Sequence, residues 1–191
     1  IGKTTGSLTS ARSVPQLKAF VEQGGTLITV GRATAIAAEL GLPLSSALVE
    51  ARSEGGRPLT PEQYYIPGSV LRASIDNTTP LGYGFERQVD LFFDNSPVFR
   101  LDSQAADIKR VAWFSSASPL RSGWAWGQKY LENGVAVADA GLGRGRVLIF
   151  GPEINFRAQS HGTFKFLFNA IYYSTAEATS LEAGADTSVK K

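Results

Sequence analysis

Apolar residues recur near the start of the chain with the spacing of a helix. Leu17, Phe20 and Val21 share one face of this predicted helix. It begins near Ser13, because a serine cap with a glutamine three residues later, Gln16, can satisfy two backbone donors, and the proline between them suits a first helical turn. We therefore predict a helix that starts at a capping box and buries one apolar stripe.

A strand and a second helix follow. Gly24-Gly25 supplies the left-handed exit that the first helix needs, and residues 26–30 form a short apolar and β-branched run. We expect this strand to be covered on both faces in a parallel sheet. A shorter helix is predicted over residues 33–40, before a glycine and a proline stop it. The order helix, strand, helix indicates an α/β fold.

The middle of the chain contains short strands after a long irregular segment. Glycines and prolines break the periodicity between residues 45 and 67, where only Tyr64 and Tyr65 suggest burial. Three later runs are β-prone and are predicted to be strands, over residues 70–75, 88–93 and 108–114.

The glycine-rich region after residue 130 predicts an antiparallel meander. Asn133-Gly134 is a strong hairpin signal, and residues 135–140 alternate well enough to form the strand that leaves it. Residues 141–145 then turn the chain into a strand over residues 146–150. Their three glycines resemble a nucleotide-binding fingerprint, but they lie between two strands rather than between a strand and a helix, which favours a hairpin turn.

The last helix carries the clearest apolar stripe of the sequence. Ser160 is expected to cap it, and it must pack on the sheet. Its apolar positions at helical spacing are Phe164, Leu167, Phe168 and Ile171. Beyond the helix the composition changes to small and polar residues. We therefore expect one α/β domain over residues 1–174 and a flexible tail over residues 175–191.

Size and charge narrow the classes of function. A chain of 191 residues with 43% hydrophobic content is long enough to bury the core of one domain. Its net charge of +2 comes from 19 basic and 17 acidic residues that are scattered along the sequence, which argues against a nucleic-acid partner. No apolar run approaches the length that spans a membrane. The absence of methionine, at position 1 as well, suggests a processed or excerpted sequence.

Catalytic residues of the common kinds are scarce in this sequence. Thiolate chemistry is excluded because there is no cysteine, and a catalytic zinc usually needs three protein ligands whereas the only histidine is His161. A serine hydrolase would require His161 to face a serine, and no G-x-S-x-G elbow indicates which one. Gly2-Lys3-Thr4 copies the end of a phosphate-binding loop without the strand and glycine that precede it. We therefore expect that this chain alone is not an enzyme and holds no metal or cofactor.

Two groups of residues remain as candidates for ligand binding. Arg157 and His161 lie at the junction of a loop and the last helix, where free backbone donors can bind anions or where both side chains can bond to neighbouring carbonyls and hold the loop. Trp113, Trp124 and Trp126 can line a sugar or peptide groove, or serve in ordinary packing. The predicted ligand-binding residues are Trp124, Trp126, Arg157 and His161.

Several runs of the sequence carry a family resemblance. They are LKAFVEQGGTL at residues 17–27, PGSVLR at 67–72, SGW at 122–124, GRGRVLIFG at 143–151 and RAQSHGTFK at 157–165. Together they resemble the C-terminal region that follows the catalytic domain in bacterial zinc carboxypeptidases of the carboxypeptidase A type. In such proteins this region looks like a class I glutamine amidotransferase-like domain, of flavodoxin-like architecture, that lacks that family's cysteine. The likeness covers about residues 1–173.

The resemblance implies a non-catalytic accessory domain of a secreted or periplasmic metallocarboxypeptidase. Its zinc ligands and catalytic glutamate would belong to the preceding catalytic domain, which would be the partner of this chain, and no position here matches them. The likeness begins partway into the amidotransferase-like domain, so the sheet is expected to lack its first strands and to self-associate through an exposed edge. The alternatives are a peptide- or glycan-binding module and an independent hydrolase.

Overall fold

The computed structural model of the chain describes residues 8–50, 56–102 and 105–176. The phosphate-loop imitation at residues 2–4 and nearly all of the expected tail lie outside the described residues. No helix in the part of the chain that is described is long and apolar enough to cross a bilayer.

One mixed sheet organises the described residues. Its main strands run in the order β1-β9-β8-β6-β3-β4, while β2 pairs with β5, β5 also pairs with β8, and β7 pairs with β3. The strands are β1 (Thr26–Val30), β2 (Leu44–Ser46), β3 (Ser69–Ile75), β4 (Gln88–Phe93), β5 (Phe99–Leu101), β6 (Ile108–Trp113), β7 (Leu120–Ser122), β8 (Val135–Leu142) and β9 (Gly145–Phe150). The helices are α1 (Ser13–Glu22), α2 (Ile36–Glu39) and α3 (Phe164–Ser174).

The parallel part of the sheet is the pair β1–β9, in which Ile28 lies opposite Leu148. All the other described strand pairs are antiparallel. Side chains of β1 alternate between two core clusters, so Leu27 packs with the cluster that contains Val21 of α1 and Ile28 packs with the cluster that contains Phe166 of α3. This confirms that the first strand is parallel and covered on both faces.

Strand β1 also forms one edge of the sheet. Within the described residues it pairs with β9 alone, so the backbone groups on its other side have no ladder partner in that part of the chain. The strand contains no charged residue and no proline, which are the residues that natural proteins use to protect such edges.

The antiparallel meander is present, but one of its turns differs from the prediction. Strands β8 and β9 form a hairpin whose loop is Gly143-Arg144, and Gly143 has φ +61°. A side chain at Gly143 would also meet the backbone of Glu22 at 2.7 Å, so glycine is required there. Asn133-Gly134 does not join two paired strands. It ends a short 3₁₀ turn over residues 128–131, and the Gly134 N–H donates to the Leu131 carbonyl.

The terminal helix packs on the sheet through a different face from the predicted one. Phe166 and Ala170 are its buried residues, whereas Phe168 is 54% exposed and Ile171 50% exposed. The helix begins at Phe164 after a 3₁₀ turn, and no side chain caps it. Because almost every position of α3 is apolar, periodicity alone did not distinguish the buried face from the exposed one.

The predicted capping box of α1 is absent as well. Ser13 lies inside the helix, where its hydroxyl accepts a hydrogen bond from the Thr9 N–H at 3.3 Å, and no side chain caps the helix start. The predicted fold class is nevertheless confirmed, since the chain is α/β with an antiparallel C-terminal meander and a packed terminal helix. The parallel pair with helices on both faces is the part that agrees with a partial glutamine amidotransferase-like sheet.

Candidate functional site

Three aromatic side chains form an exposed group on the surface, which we call the aromatic cluster: Tyr65, Trp124 and Trp126. Their exposed fractions are 44%, 53% and 54%. The two indole rings are nearly parallel, with an angle of 11° between their planes and 6.4 Å between their centres. Tyr65 meets Trp124 edge to face at 6.0 Å. The two predicted tryptophans are thus brought together beside a tyrosine.

Backbone hydrogen bonds hold the aromatic cluster in place. Tyr65 and Trp126 exchange N–H to carbonyl bonds of 3.1 and 3.0 Å, and the Trp126 indole N–H donates to the Glu62 carbonyl at 2.6 Å. The buried Ser69 hydroxyl accepts from the Trp124 N–H at 2.9 Å and donates to the Trp124 carbonyl at 2.7 Å. The positions of both tryptophans are therefore fixed by strand β3 and by the segment before it.

A glycine brings the chain close enough to form this arrangement. Gly127, directly after Trp126, has φ +70°, and a side chain there would lie 2.0 Å from the carbonyl oxygen of Gln63. Only glycine fits this close approach.

A pocket of about 500 Å³ lies directly beside Trp126. Its polar lining residues are Glu62, Gln63, Ser118, Gln128, Lys129 and Tyr130. A hydrogen bond with Thr60 lowers the pKa of Glu62. The pocket therefore combines one aromatic face with side chains of both charges and with amide and hydroxyl groups.

The loop-to-helix junction forms the smaller pocket of about 430 Å³ on another part of the surface. His161 lines it together with Asp90, and Phe156 stacks on Phe92 at 4.1 Å to form an aromatic wall. Arg157 has φ +47° and its neighbour φ +54°, a left-handed backbone that costs about 1–2 kcal/mol for each residue. The two pockets share no lining residue, so the structure does not join the junction to the aromatic cluster.

The side chains of the junction make local contacts. His161 Nε2 lies 3.1 Å from the carbonyl oxygen of Ala158, as expected for a residue that holds the loop. Within the described part of the chain Arg157 forms no hydrogen bond to a neighbouring carbonyl, in contrast to the prediction that it holds the loop in this way. Its guanidinium carbon instead lies 5.1 Å from the centre of the Phe156 ring.

A hydrolase site among the described residues would have His161 at its centre. His161 has no hydrogen bond there to a serine or a carboxylate, so the Ser-His-acid arrangement that an independent hydrolase requires is not assembled in that part of the chain. The described residues also contain no group of three or more histidine, cysteine, aspartate or glutamate side chains that could hold a metal ion.

The remaining aromatic predictions had mixed outcomes. Trp113 lies away from the cluster on β6, where the guanidinium carbon of Arg110 stands 4.0 Å from its ring. Of the two tyrosines expected to be buried, Tyr64 is buried, but Tyr65 is exposed and belongs to the cluster. In extended chain the side chains of adjacent residues point in opposite directions. This rule could have predicted that only one of the two adjacent tyrosines is buried.

No protein-family model and no curated protein sequence matches the chain. Several solved structures resemble it. A beta-galactosidase from Bacillus circulans sp. alkalophilus aligns with a TM-score of 0.51 and 10% identity, over 85% of this chain and 20% of that chain. A cytoplasmic protein from Salmonella typhimurium gives 0.48 and 13%, over 84% and 59%. A ThuA-like protein from Bacteroides uniformis gives 0.49 and 12%, over 89% and 66%.

These likenesses concern the fold alone, because the identities are so low. The chain spans about a fifth of the beta-galactosidase that it matches.

Proposed function

We propose that this chain is a non-catalytic accessory domain that binds carbohydrate through the aromatic cluster. The observation that carries the proposal is the pair of parallel, half-exposed indole rings, with 11° between their planes. Hydrogen bonds hold the backbone of Trp124 and the indole ring of Trp126. Apolar side chains that are exposed as a contiguous group, rather than singly, often mark an interaction site. A site whose rings are already held in place loses little conformational entropy when a ligand binds.

The chemistry of the neighbouring pocket favours carbohydrate over peptide. A sugar ring has a flat face of C–H groups and an edge of hydroxyl groups, so it needs an aromatic surface bordered by hydrogen-bonding side chains. Trp126 provides the surface, while the ammonium group of Lys129 and the amide nitrogen of Gln128 provide donors beside it. The Gln63 amide also lines the pocket, but it already bonds to Thr60 and Glu50. A peptide is the alternative ligand, and the experiment below distinguishes the two.

The parent protein that we propose is a zinc carboxypeptidase, secreted or periplasmic, as the sequence resemblance implies. The zinc would be bound by the catalytic domain that precedes this chain. An accessory role is supported by the beta-galactosidase comparison, because a fold of this type makes up about a fifth of that longer chain.

A purely structural role is the second candidate, and the exposed apolar surface of α3 favours it. Phe168, Ile171 and Tyr172 are each at least half exposed, and Lys165 is the only charged residue of the helix. A helix that is apolar on all sides is normally covered on all sides. In this role α3 and the open edge of β1 would pack against the catalytic domain and shape its groove.

The test is a binding screen with soluble oligosaccharides of cellulose, chitin, xylan and galactan, in which binding is monitored by intrinsic tryptophan fluorescence. We expect one of these series to bind and the affinity to fall about five- to thirtyfold in Trp124→Ala and in Trp126→Ala, because loss of one stacking ring removes about 1–2 kcal/mol. Tyr83→Ala is the matched control, since Tyr83 is 75% exposed and does not line the pocket beside Trp126.

Two outcomes would contradict the proposal. If none of the oligosaccharides binds while an unfolded peptide does, the cluster is a peptide site. If an oligosaccharide binds equally well to both tryptophan variants, carbohydrate is recognised elsewhere on the molecule.

A further inference from the structure

A third pocket lies at the carboxyl ends of the two parallel strands, and we call it the strand-end pocket. The chain leaves β1 at Gly31 and turns at once into a 3₁₀ helix and α2, which form one wall. The ribbon of β2 and β5 forms the other wall. Gly151 follows β9 directly and lies so close to the Pro97 carbonyl that only glycine fits. In α/β sheets, the crevice beyond the carboxyl ends of the strands is where ligands usually bind.

The walls of the strand-end pocket are mainly apolar. It has a volume of about 430 Å³, within the range of small-molecule sites. The apolar lining residues are Ala35, Ala38, Leu44, Pro97, Val98 and Phe99. The Thr34 hydroxyl lies at the wall but donates to the Gly31 carbonyl at 2.6 Å, so it is not free to donate to a ligand. Ser45 and Ser46 are exposed at the rim.

Arg32 is the one charged residue that lines this pocket. None of the salt bridges among the described residues involves Arg32, although the Glu153 side chain lies close to neighbouring Gly31. Its guanidinium keeps its five donors for water or for a ligand. An arginine beside an apolar cavity matches a molecule with a carboxylate at one end and a hydrocarbon body at the other.

We propose that the strand-end pocket binds a small monocarboxylate with an aliphatic or phenyl body. The hydrocarbon body occupies the space between α2 and β5, and the carboxylate pairs with Arg32 at the mouth. This site is independent of the aromatic cluster, because the two share no residue. Arg32 repels a positive headgroup and forms no ion pair with an uncharged one, so the site discriminates by charge.

The experiment is an NMR titration of the isotope-labelled chain with four probes that differ in chain length or in headgroup charge: butanoate, hexanoate, hexan-1-ol and hexylammonium. We expect hexanoate to bind about tenfold more tightly than butanoate, because two more methylenes leave water. Hexan-1-ol should bind about fivefold more weakly than hexanoate, as expected for one partly exposed charge pair. Hexylammonium should bind more weakly still.

Three variants connect binding to the pocket. Arg32→Gln should weaken hexanoate about fivefold and leave hexan-1-ol unchanged. Ala38→Trp should fill the cavity and abolish both. Arg12→Gln is the control, because Arg12 is also exposed and forms no salt bridge among the described residues. Circular dichroism of each variant shows that it is folded.

The proposal is overturned if no probe shifts residues of the strand-end pocket, or if Ala38→Trp binds hexanoate as well as the unchanged chain does. Equal affinities for hexanoate and hexan-1-ol would also contradict it, because Arg32 would then play no part in recognition.

Discussion

Replacement of Phe166 by alanine tests how the terminal helix packs. Phe166 is fully buried, and its ring lies 4.3 Å from the ring centre of Phe85 and 5.9 Å from that of Phe150. Its removal leaves a cavity among other large side chains that cannot all move to fill it. We expect Phe166→Ala to lower the free energy of unfolding by about 3–5 kcal/mol. This is a large part of the 5–15 kcal/mol that stabilises an ordinary domain.

Phe168→Ala is the matched control on the same helix. Phe168 is 54% exposed, so the same chemical change should alter the free energy of unfolding by about 0.5 kcal/mol or less. For a chain of this size, the larger loss corresponds to a melting temperature lower by about 10 °C.

Urea denaturation followed by circular dichroism and tryptophan fluorescence measures both variants. The reasoning requires that the midpoint fall strongly for Phe166→Ala, with little change in the slope against urea. If Phe168→Ala destabilises the chain as much as Phe166→Ala does, α3 packs through the stripe that the sequence predicts, and the assignment of Phe166 to the buried face is wrong.

Arg72 holds the pKa of Asp90 below its ordinary value. The ion pair therefore stabilises the fold at a pH above the ordinary carboxyl pKa, and this stabilisation is lost as the pH falls through the lowered pKa of Asp90. Urea titrations should show Arg72→Gln slightly less stable than the unchanged chain at pH 7 and no less stable at pH 2. His161→Ala should lower the melting temperature by about 1–2 °C, measured by calorimetry, and leave carbohydrate affinity unchanged. Light scattering should show self-association of the chain that rises with concentration and is absent in Thr26→Lys, because lysine protects an open strand edge. A concentration-independent monomer before substitution would contradict that last expectation.

The sequence predicted best those elements whose residues favour a single kind of backbone structure. Residues 26–30 are β-branched and apolar without interruption, and they form β1 with both faces covered. Gly143 is needed both for its positive φ and for close approach to α1, and the β8–β9 hairpin is where it was expected. Strands β2, β5 and β7 have three residues each, which is too short for a period to be visible.

The candidate site was only partly predictable. Trp124 and Trp126 were identified because tryptophan is rare, but nothing local indicates that Tyr65, about sixty residues earlier, pairs with Trp126 through two backbone hydrogen bonds. Contacts between distant segments are set by the register of the whole sheet. For the same reason, the junction at His161 looked like a neighbour of the tryptophans, whereas the fold gives it a separate pocket.

The indole N–H signals of the three tryptophans provide the most direct test of carbohydrate binding by the aromatic cluster. Trp124 and Trp126 lie in the cluster, and Trp113 lies outside it, so one NMR spectrum contains both the site and its control. On addition of the oligosaccharide that binds in the screen, the account predicts saturable shifts of the Trp124 and Trp126 indole signals with one common affinity and no shift of Trp113. If the cluster signals stay unchanged while the oligosaccharide binds, or if all three move equally, the aromatic cluster is not the carbohydrate site.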